Sequence, residues 1–406
     1  MKIALVAPTH MPSRRANTLQ VMKMAQAFTC LGHTVRVAVP GIVAQPVPWD
    51  ELAHLYGLRA RFPVEWLPAS SFLRRYDYGL RSVRWAQRWN ADLLYTRLPQ
   101  AAAIASAIGL ATVLEVHDLP SGAMGAWLFR RFLRGGGRRR LVAITHALAN
   151  DLTEKLGAPM ERTESARALA AVGAATPGFT VVAPDAVDLE RYADLPNPEQ
   201  ARQLLGGADI PVTIPPDRFT AGYTGHLYAG RGINMILEMA RRLPEVAFLL
   251  VGGEPEDVIR LRETTQSRGL ANVHLTGFVP NAELPRYHAA CDAFLMPYQR
   301  RVAASSGGDI ARYLSPMKLF EYMACGRPIL CSDLPVLREV LNPENSVLLP
   351  PEDVGAWVAA LEALRGDPSR RSALEARTLS EVKNYTWERR AERILDGLDV
   401  RLEKNF

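Results

Sequence analysis

The stretch Ser315–Pro335, SPMKLFEYMACGRPILCSDLP, combines a helix start, a polar helix face and a returning strand. Ser315 suits an N-cap and Pro316 the first helical position, which leaves the first-turn N–H groups without intrahelical partners at the positive end of the helix dipole. An anion such as a phosphate would satisfy them. Lys318, Glu321, Tyr322 and Cys325 fall at i, i+3, i+4 and i+7, while Leu319, Phe320, Met323 and Ala324 supply apolar surface. Gly326 is placed to end the helix, and Pro328–Cys331 reads as a buried strand. One acid on a phosphate-facing helix suits a nucleotide ribose. The same pattern also fits a capped amphipathic helix whose Lys and Glu are merely solvated, so the rest of the chain has to decide.

Working outward, short apolar runs alternate with helical segments on both sides of this stretch. Before it, strands are expected at Lys2–Ala7, Thr34–Val39, Val64–Leu67, Asp92–Thr96, Thr112–His117, Leu141–Ile144 and Phe179–Val182. A polar interval follows, and strands are expected again at Phe219–Thr224, Ala247–Val251, Asn272–Thr276, Ala293–Met296, Pro328–Cys331 and Ser346–Leu349. Such alternation implies doubly wound parallel sheets, here two α/β domains in tandem whose strand ends face a ligand cleft. The expected division is 1–187 with 386–406 returning to it, and 188–385. A helix from about Leu19 to Leu31 is expected after the first strand. Trp387, Ala391, Ile394, Leu395 and Leu398 mark an amphipathic helix near the end.

The 406 residues, 48% hydrophobic and 22% charged, suffice for two cored domains. No apolar run approaches the roughly 18 residues of a membrane span, and the chain enters a strand at once without a signal-peptide layout, so a cytoplasmic protein is expected. The four cysteines, Cys30, Cys291, Cys325 and Cys331, lack metal-ligand spacing and read as reduced packing thiols. Residues 1–187 hold 22 basic and 12 acidic side chains, a net of +10, against −4 for the remainder. Arg74, Arg75, Arg81, Arg84 and Arg88 form one cluster, and WLFRRFLRGGGRRR (127–140) interleaves arginines with apolar groups. An anionic bilayer at the inner face of the membrane or a lipid-diphosphate substrate suits that composition, and so does a plain solvated surface. Nucleic acid is disfavoured, since no binding motif accompanies the charge.

Neither G-x-G-x-x-G nor G-x-x-x-x-G-K-[ST] is present, which disfavours NAD-type and P-loop enzymes. The glycine loop instead opens the second half: AGYTGHLYAGRG (221–232), with Arg231 at the mouth of the next helix, an arrangement suited to a diphosphate.

Four segments of the second half, AGYTGHLYAGRGINMILEMA, AFLLVGGEPEDVIRL, NVHLTGFVPNAELPRYHAACDAFLMPY and SPMKLFEYMACGRPILCSDLPVLREVL, resemble in order the donor-binding half of family 4 retaining glycosyltransferases of GT-B fold. MKIALVAPTH, LYTRLP, LEVHDLP, ITHALANDL and APDAVDLERY resemble the family's first half, and NYTWERRAERILDGL its last helices, which cross back to the first domain. The resemblance implies a donor-sugar contact for His117, leaving-group stabilisation by Arg231 and Lys318, and ribose binding by Glu321. It implies diphosphate or base contacts for Gly225, His226, Gly253, Val279, Ser315, Pro316 and Met317, and an acceptor side near Arg14, Asn17 and Asp118. No metal or cofactor is implied, the nucleoside-diphosphate sugar being substrate and a lipid-linked or saccharide hydroxyl the acceptor.

Three positions depart from the family pattern. The first Glu of its E-x7-E element falls at Tyr313, the second phosphate-binding Arg at His226, and the glycine-rich first loop is PSRRANT. Asp309 is the expected substitute for the missing sugar-binding acid. Two other classes fit the sequence less well, a non-catalytic GT-B partner subunit and a sugar-nucleotide epimerase.

Overall fold

In the computed structural model of the chain, the described residues are 1–42, 47–70, 72–73, 75–159, 179–205, 212–303 and 308–398. Arg74, the residues just before Gly308 and Asp309, part of the polar interval (206–211) and the tail beyond 398 lie outside them. The chain divides into two compact units, Met1–Asp185 with Trp387–Phe406, and Ala186–Thr386.

The first unit contains strands β1 (Lys2–Val6), β2 (Thr34–Pro40), β3 (Val64–Leu67), β4 (Leu93–Thr96), β5 (Thr112–Val116), β6 (Arg139–Ala143) and β7 (Phe179–Val182). Its helices are α1 (Ala16–Cys30), α2 (Trp49–Tyr56), α3 (Tyr76–Arg88), α4 (Pro99–Ala107), α5 (Gly122–Leu133) and α6 (His146–Leu156). The strands run parallel in the order β3-β2-β1-β4-β5-β6-β7. Strands covered on both faces read as unbroken apolar runs, which is why they are legible in the sequence. The order reverses between β1 and β4, and ligands of open parallel sheets bind at the strand ends beside such a switch. His117 follows β5, next to that point.

The second unit repeats the plan with α7 (Pro198–Leu205), β8 (Thr220–Thr224), α8 (Ile233–Arg242), β9 (Ala247–Val251), α9 (Pro255–Ser267), β10 (Val273–Gly277), α10 (Leu284–Ala289), β11 (Ala293–Met296), α11 (Met317–Cys325), β12 (Ile329–Ser332), β13 (Val347–Leu349), α12 (Val354–Gly366) and α13 (Pro368–Glu381). Its parallel order is β10-β9-β8-β11-β12-β13, so the switch falls between β8 and β11. Two cores cover its faces, one around Phe294, Phe320 and Tyr322, the other around Trp357, Phe248 and Ile236. The last helix, α14 (Trp387–Leu395), packs on α1 of the first unit, with Trp387, Ala391, Ile394 and Leu398 buried.

Two local expectations are corrected. Pro316, not Ser315, is the N-cap of α11, with an extended ψ of 124°, so the first helical residue is Met317. On the polar face of α11, Tyr322 and Cys325 are buried in the core and only the first turn stays open. α1 begins at Ala16, three residues before the expected Leu19. No disulfide joins the four cysteines, all of which are described; Cys30 is exposed and the other three are buried, where burial pushes Cys325 up to about 12.

Candidate functional site

The loop after β8 lies at the switch point of the second sheet, and close backbone approaches explain its glycines. A Cβ on Gly230 would lie 2.1 Å from the Arg301 carbonyl oxygen, and one on Gly232 would lie 2.0 Å from that of Pro297. Both glycines have positive φ, 82° and 78°. The loop is thereby clamped to the segment after β11, with the Gln299 N–H donating to Gly230 O (2.9 Å) and the Ala303 N–H to Ala229 O (3.1 Å). Arg231, fixed between the two glycines, places its guanidinium 5.2 Å from the Tyr298 ring centroid.

Lys318, in the first turn of α11, lies on the other side of that tyrosine. Its Nζ is 3.8 Å from the Tyr223 ring centroid and 5.7 Å from that of Tyr298. A Cβ on Gly225 would meet it at 3.0 Å, so the glycine keeps the space beside the ammonium clear. Burial, then the charge of Arg231, hold the Lys318 pKa well below its ordinary value, with Glu321 pulling the other way. Two cations are thus gathered around two tyrosine rings at the N-terminal end of α11, an arrangement that an anion would relieve.

One turn further along α11, Glu321 is only 9% exposed and its Oε1 accepts from Asn281 Nδ2 at 3.3 Å. Asn281 Oδ1 in turn accepts from Arg191 at 2.7 Å, and its carbonyl accepts from the same guanidinium. Behind it, the Tyr322 hydroxyl takes the Thr224 N–H at 2.7 Å, tying α11 to the end of β8. His288 joins Thr224 and Tyr192 in the same buried chain, and burial, aided by Arg191 and Lys318, lowers its pKa to about 3. Arg191 and Asn281 were not singled out in the sequence. Arg191 lies in LERY and Asn281 in VPNAELP, both inside recognised segments, but nothing there shows that they meet.

In the first unit, His117 is 22% exposed and its Nε2 lies 2.5 Å from Glu115 Oε1. Glu115 is fully buried, in the middle of the sheet on β5. It also accepts from Gln20 Nε2 (2.5 Å), from the Tyr95 hydroxyl and from one terminal nitrogen of Arg390 on α14 (3.1 Å), the other terminal nitrogen lying 3.1 Å from Oε1 as an ion pair. Burial alone would raise the Glu115 pKa, but Arg390 and His117 bring it down to about 2. His117 falls to about 4, through burial and then the charge of Arg97, so the imidazole is neutral at pH 7. Neither Glu115 nor Arg390 was singled out in the sequence.

The remaining expected residues are placed as follows. Asp309 is exposed, and its Oδ1 accepts from the Val302 (2.9 Å) and Ala311 (3.0 Å) N–H groups, pinning its own loop. His226 stacks on Tyr228 at 4.7 Å, with Nδ1 3.7 Å from Glu254 Oε1. The Gly252–Gly253 turn approaches the glycine loop so closely that a Cβ on Gly252 would lie 2.5 Å from Gly225 O and one on Gly253 2.7 Å from Leu227 Cδ1. Val279 packs half-buried against the core near Asn281. Ser315, Pro316 and Met317 stand partly open at the start of α11, and Tyr313, where an acid was expected from the resemblance, is buried. Arg14 is exposed in the loop after β1, Asn17 lies in the first turn of α1, and Asp118 is exposed, with Oδ1 accepting the Leu119 N–H at 2.7 Å. Among the described residues, no group of three or more His, Cys, Asp or Glu is placed to hold a metal ion.

Residues 19–165 match the family model described as Glycosyltransferase Family 4, and residues 218–367 that described as Glycosyl transferases group 1. A GDP-mannose-dependent alpha-(1-6)-phosphatidylinositol monomannoside mannosyltransferase of Mycolicibacterium smegmatis is 29% identical over 54% of this chain and 56% of its own length. The chain therefore spans about half the length of that relative. A phosphatidyl-myo-inositol mannosyltransferase of the same organism is 23% identical over 95% of this chain and 90% of its own. Among solved structures, Anabaena HepE in complex with UDP superposes with a TM-score of 0.69 at 19% identity, covering 98% of this chain and 99% of HepE. A glycosyltransferase from Rickettsia africae gives 0.72 at 13% identity, over 97% of each chain. The two parallel-sheet α/β units have the GT-B fold of these structures.

Proposed function

We propose, from the premise that this chain is a glycosyltransferase with a Glycosyltransferase Family 4 first domain and a Glycosyl transferases group 1 second domain, that it transfers a sugar from a nucleoside diphosphate to an acceptor hydroxyl with retention of configuration. The acceptor belongs to glycolipid or cell-envelope polysaccharide synthesis. The observation that carries this reading is the pairing of Arg231 and Lys318 around Tyr223 and Tyr298 at the start of α11, with Glu321 one turn on. Relatives whose names specify GDP-mannose and phosphatidylinositol, and structures of HepE with UDP and with UDP-glucose, support the donor and acceptor classes.

In this mechanism the bond between the anomeric carbon and the diphosphate oxygen breaks, and its electron pair goes to the diphosphate. Arg231, Lys318 and the α11 N–H groups stabilise that charge as it develops, which is where a transferase lowers its barrier most effectively. Glu321, oriented by Asn281, holds the ribose hydroxyls. The acceptor oxygen bonds to the same face of the sugar and its proton passes to the leaving phosphate oxygen, so no protein nucleophile is needed. His117 is the first domain's contribution to substrate binding.

Lipid access is assigned to α5. Met124 and Trp127 are 56% and 57% exposed, with Arg130, Arg131 and Arg134 exposed along the same helix, a composition suited to an anionic bilayer surface. Among the described residues, no helix is long and apolar enough to cross a membrane.

The test is a thermal-shift panel of UDP-, GDP- and ADP-sugars. Incubation of the stabilising donor with lipid extract follows, with NMR of the product anomer. Conversion of donor without acceptor would identify an epimerase instead, and binding without any turnover a non-catalytic subunit. Flotation with phosphatidylglycerol vesicles at low salt tests α5, and Trp127→Ser with Arg131→Ser should abolish it.

A further inference from the structure

The Glu115–Arg390 pair is more than the first domain needs for its core. Burying two charges costs several kcal/mol per ion before their attraction is counted, and apolar residues of similar volume often serve equally well. Here the pair lies inside the first domain beside β5, 0% and 3% exposed, and four side chains converge on one carboxylate. Three of them are donors under any conditions: the Gln20 amide, the Tyr95 hydroxyl and the Arg390 guanidinium. The fourth, His117, directly follows β5 and is 22% exposed.

A carboxylate held ionised by Arg390 can only accept, so the imidazole nitrogen 2.5 Å from it carries the proton. The other nitrogen, Nδ1, is then an unprotonated acceptor. Arg390 is itself fixed at its other donors, Nε on Pro184 O (2.8 Å) and a terminal nitrogen on Ala183 O (3.1 Å), at the point where the chain leaves the first unit. Both chain crossings between the units therefore end on the group that orients His117.

We propose that Glu115 and Arg390 are positioning residues which lock His117 in the Nε2-protonated tautomer and leave Nδ1 as an unprotonated acceptor for a substrate hydroxyl. Helix α14 is thereby a working part of the first-domain site. The inference rests on the glycosyltransferase reading for its substrate, but not for its tautomer.

Two measurements separate these layers. Long-range 1H–15N spectra of the ligand-free full chain at pH 7, with the His117 signals assigned from their loss in His117→Gln, should show Nε2 protonated and Nδ1 bare. In Glu115→Gln the side-chain amide can turn its NH2 to the imidazole and its oxygen to Arg390, so the proton should move to Nδ1. The double variant Glu115→Leu with Arg390→Leu removes both charges together and should melt close to the wild type, yet show mixed His117 tautomers. With the donor found by the panel, both variants should lose kcat by roughly 10- to 100-fold with donor KM little changed, the size usual for groups that orient a functional histidine. A wild-type His117 protonated on Nδ1, or a stable double variant with an unaltered tautomer or turnover, would overturn the proposal. A correct tautomer pattern in a protein that transfers no sugar would leave this inference standing and remove the proposed function.

Discussion

Lys318→Met gives a test in which stability and binding move in opposite directions. In the free protein the ammonium lies 3.8 Å from the Tyr223 ring centroid. A desolvated cation–π contact of this kind contributes about 2 kcal/mol in favour of the charge. Against it stand burial and Arg231, and the net direction is a pKa well below the ordinary 10.5. With the folded pKa below the unfolded one, the folded state binds fewer protons between the two. Stability of the wild type therefore rises with pH across that window and levels off near 10.5. Methionine keeps the stem and removes the charge, so the variant should melt at the wild-type temperature or above it at pH 7, with the advantage fading towards pH 10. Nucleotide binding should go the other way. A charge-assisted hydrogen bond to a phosphate contributes about 1.5–3 kcal/mol, so the Kd for UDP or GDP, whichever the panel selects, should rise by roughly 10- to 150-fold. A bound diphosphate raises the Lys318 pKa, so wild-type binding should take up a proton in the window above its depressed pKa. Calorimetry between pH 7 and 10 in buffers of different ionisation enthalpy reads this directly. A variant that binds within twofold of the wild type, or that keeps the same proton uptake, would refute the placement of the diphosphate at Lys318.

Gly232→Ala forces a Cβ to within 2.0 Å of the Pro297 carbonyl at a φ of 78°. A loss of at least about 3 kcal/mol in urea unfolding is expected, and a loss under about 1 kcal/mol would show that the clamp yields easily. Asp185, 6% exposed, is raised to about 7, chiefly by burial, although Arg390 pulls it down. An acid whose folded pKa is raised penalises folding increasingly as pH climbs from about 4 to about 7 and uniformly above that. Asp185→Asn should therefore gain Tm relative to wild type over that window, whereas equal Tm differences at pH 4.5 and 7.5 would contradict the shift. Asp309→Asn keeps an oxygen for the Val302 and Ala311 N–H groups while removing the charge, so donor affinity within twofold of wild type would assign the residue to its loop, and a tenfold loss would make it the sugar-binding acid. Glu321→Ala should weaken binding of the nucleotide but not of inorganic diphosphate, as measured by competition.

Most strands were legible because they are parallel strands buried on both faces, as the five buried residues of AFLLV on β9 show, the edge strands β3 and β10 being half-buried. The glycine loop and the α11 stretch were legible because local chemistry demands their residues, positive φ at Gly230 and Gly232 and a bare helix start at Met317. What stayed hidden is non-local. Glu115 reads as one polar letter inside TVLEV, and its partner lies 275 positions later. A signal did exist, since Arg390 falls three residues after Trp387 and one before Ala391 on the buried stripe of α14. A charge on an apolar helix face announces a buried counter-charge without saying where it is. Arg191 and Asn281, 90 positions apart, were hidden for the same reason, and the spacing that put Tyr322 on one face with Lys318 and Glu321 could not show that its hydroxyl turns to the end of β8.

The route of Arg390 also bears on how the polypeptide is made. A ribosome finishes β5 early, yet the guanidinium that neutralises Glu115 emerges only after the whole of Ala186–Thr386 has been synthesised. Until then the nascent first domain carries an uncompensated carboxylate at the centre of its sheet, and it cannot close around α1 in final form. The second domain, whose residues are contiguous, has no such wait. The first domain therefore reaches its final form only after the second has been synthesised.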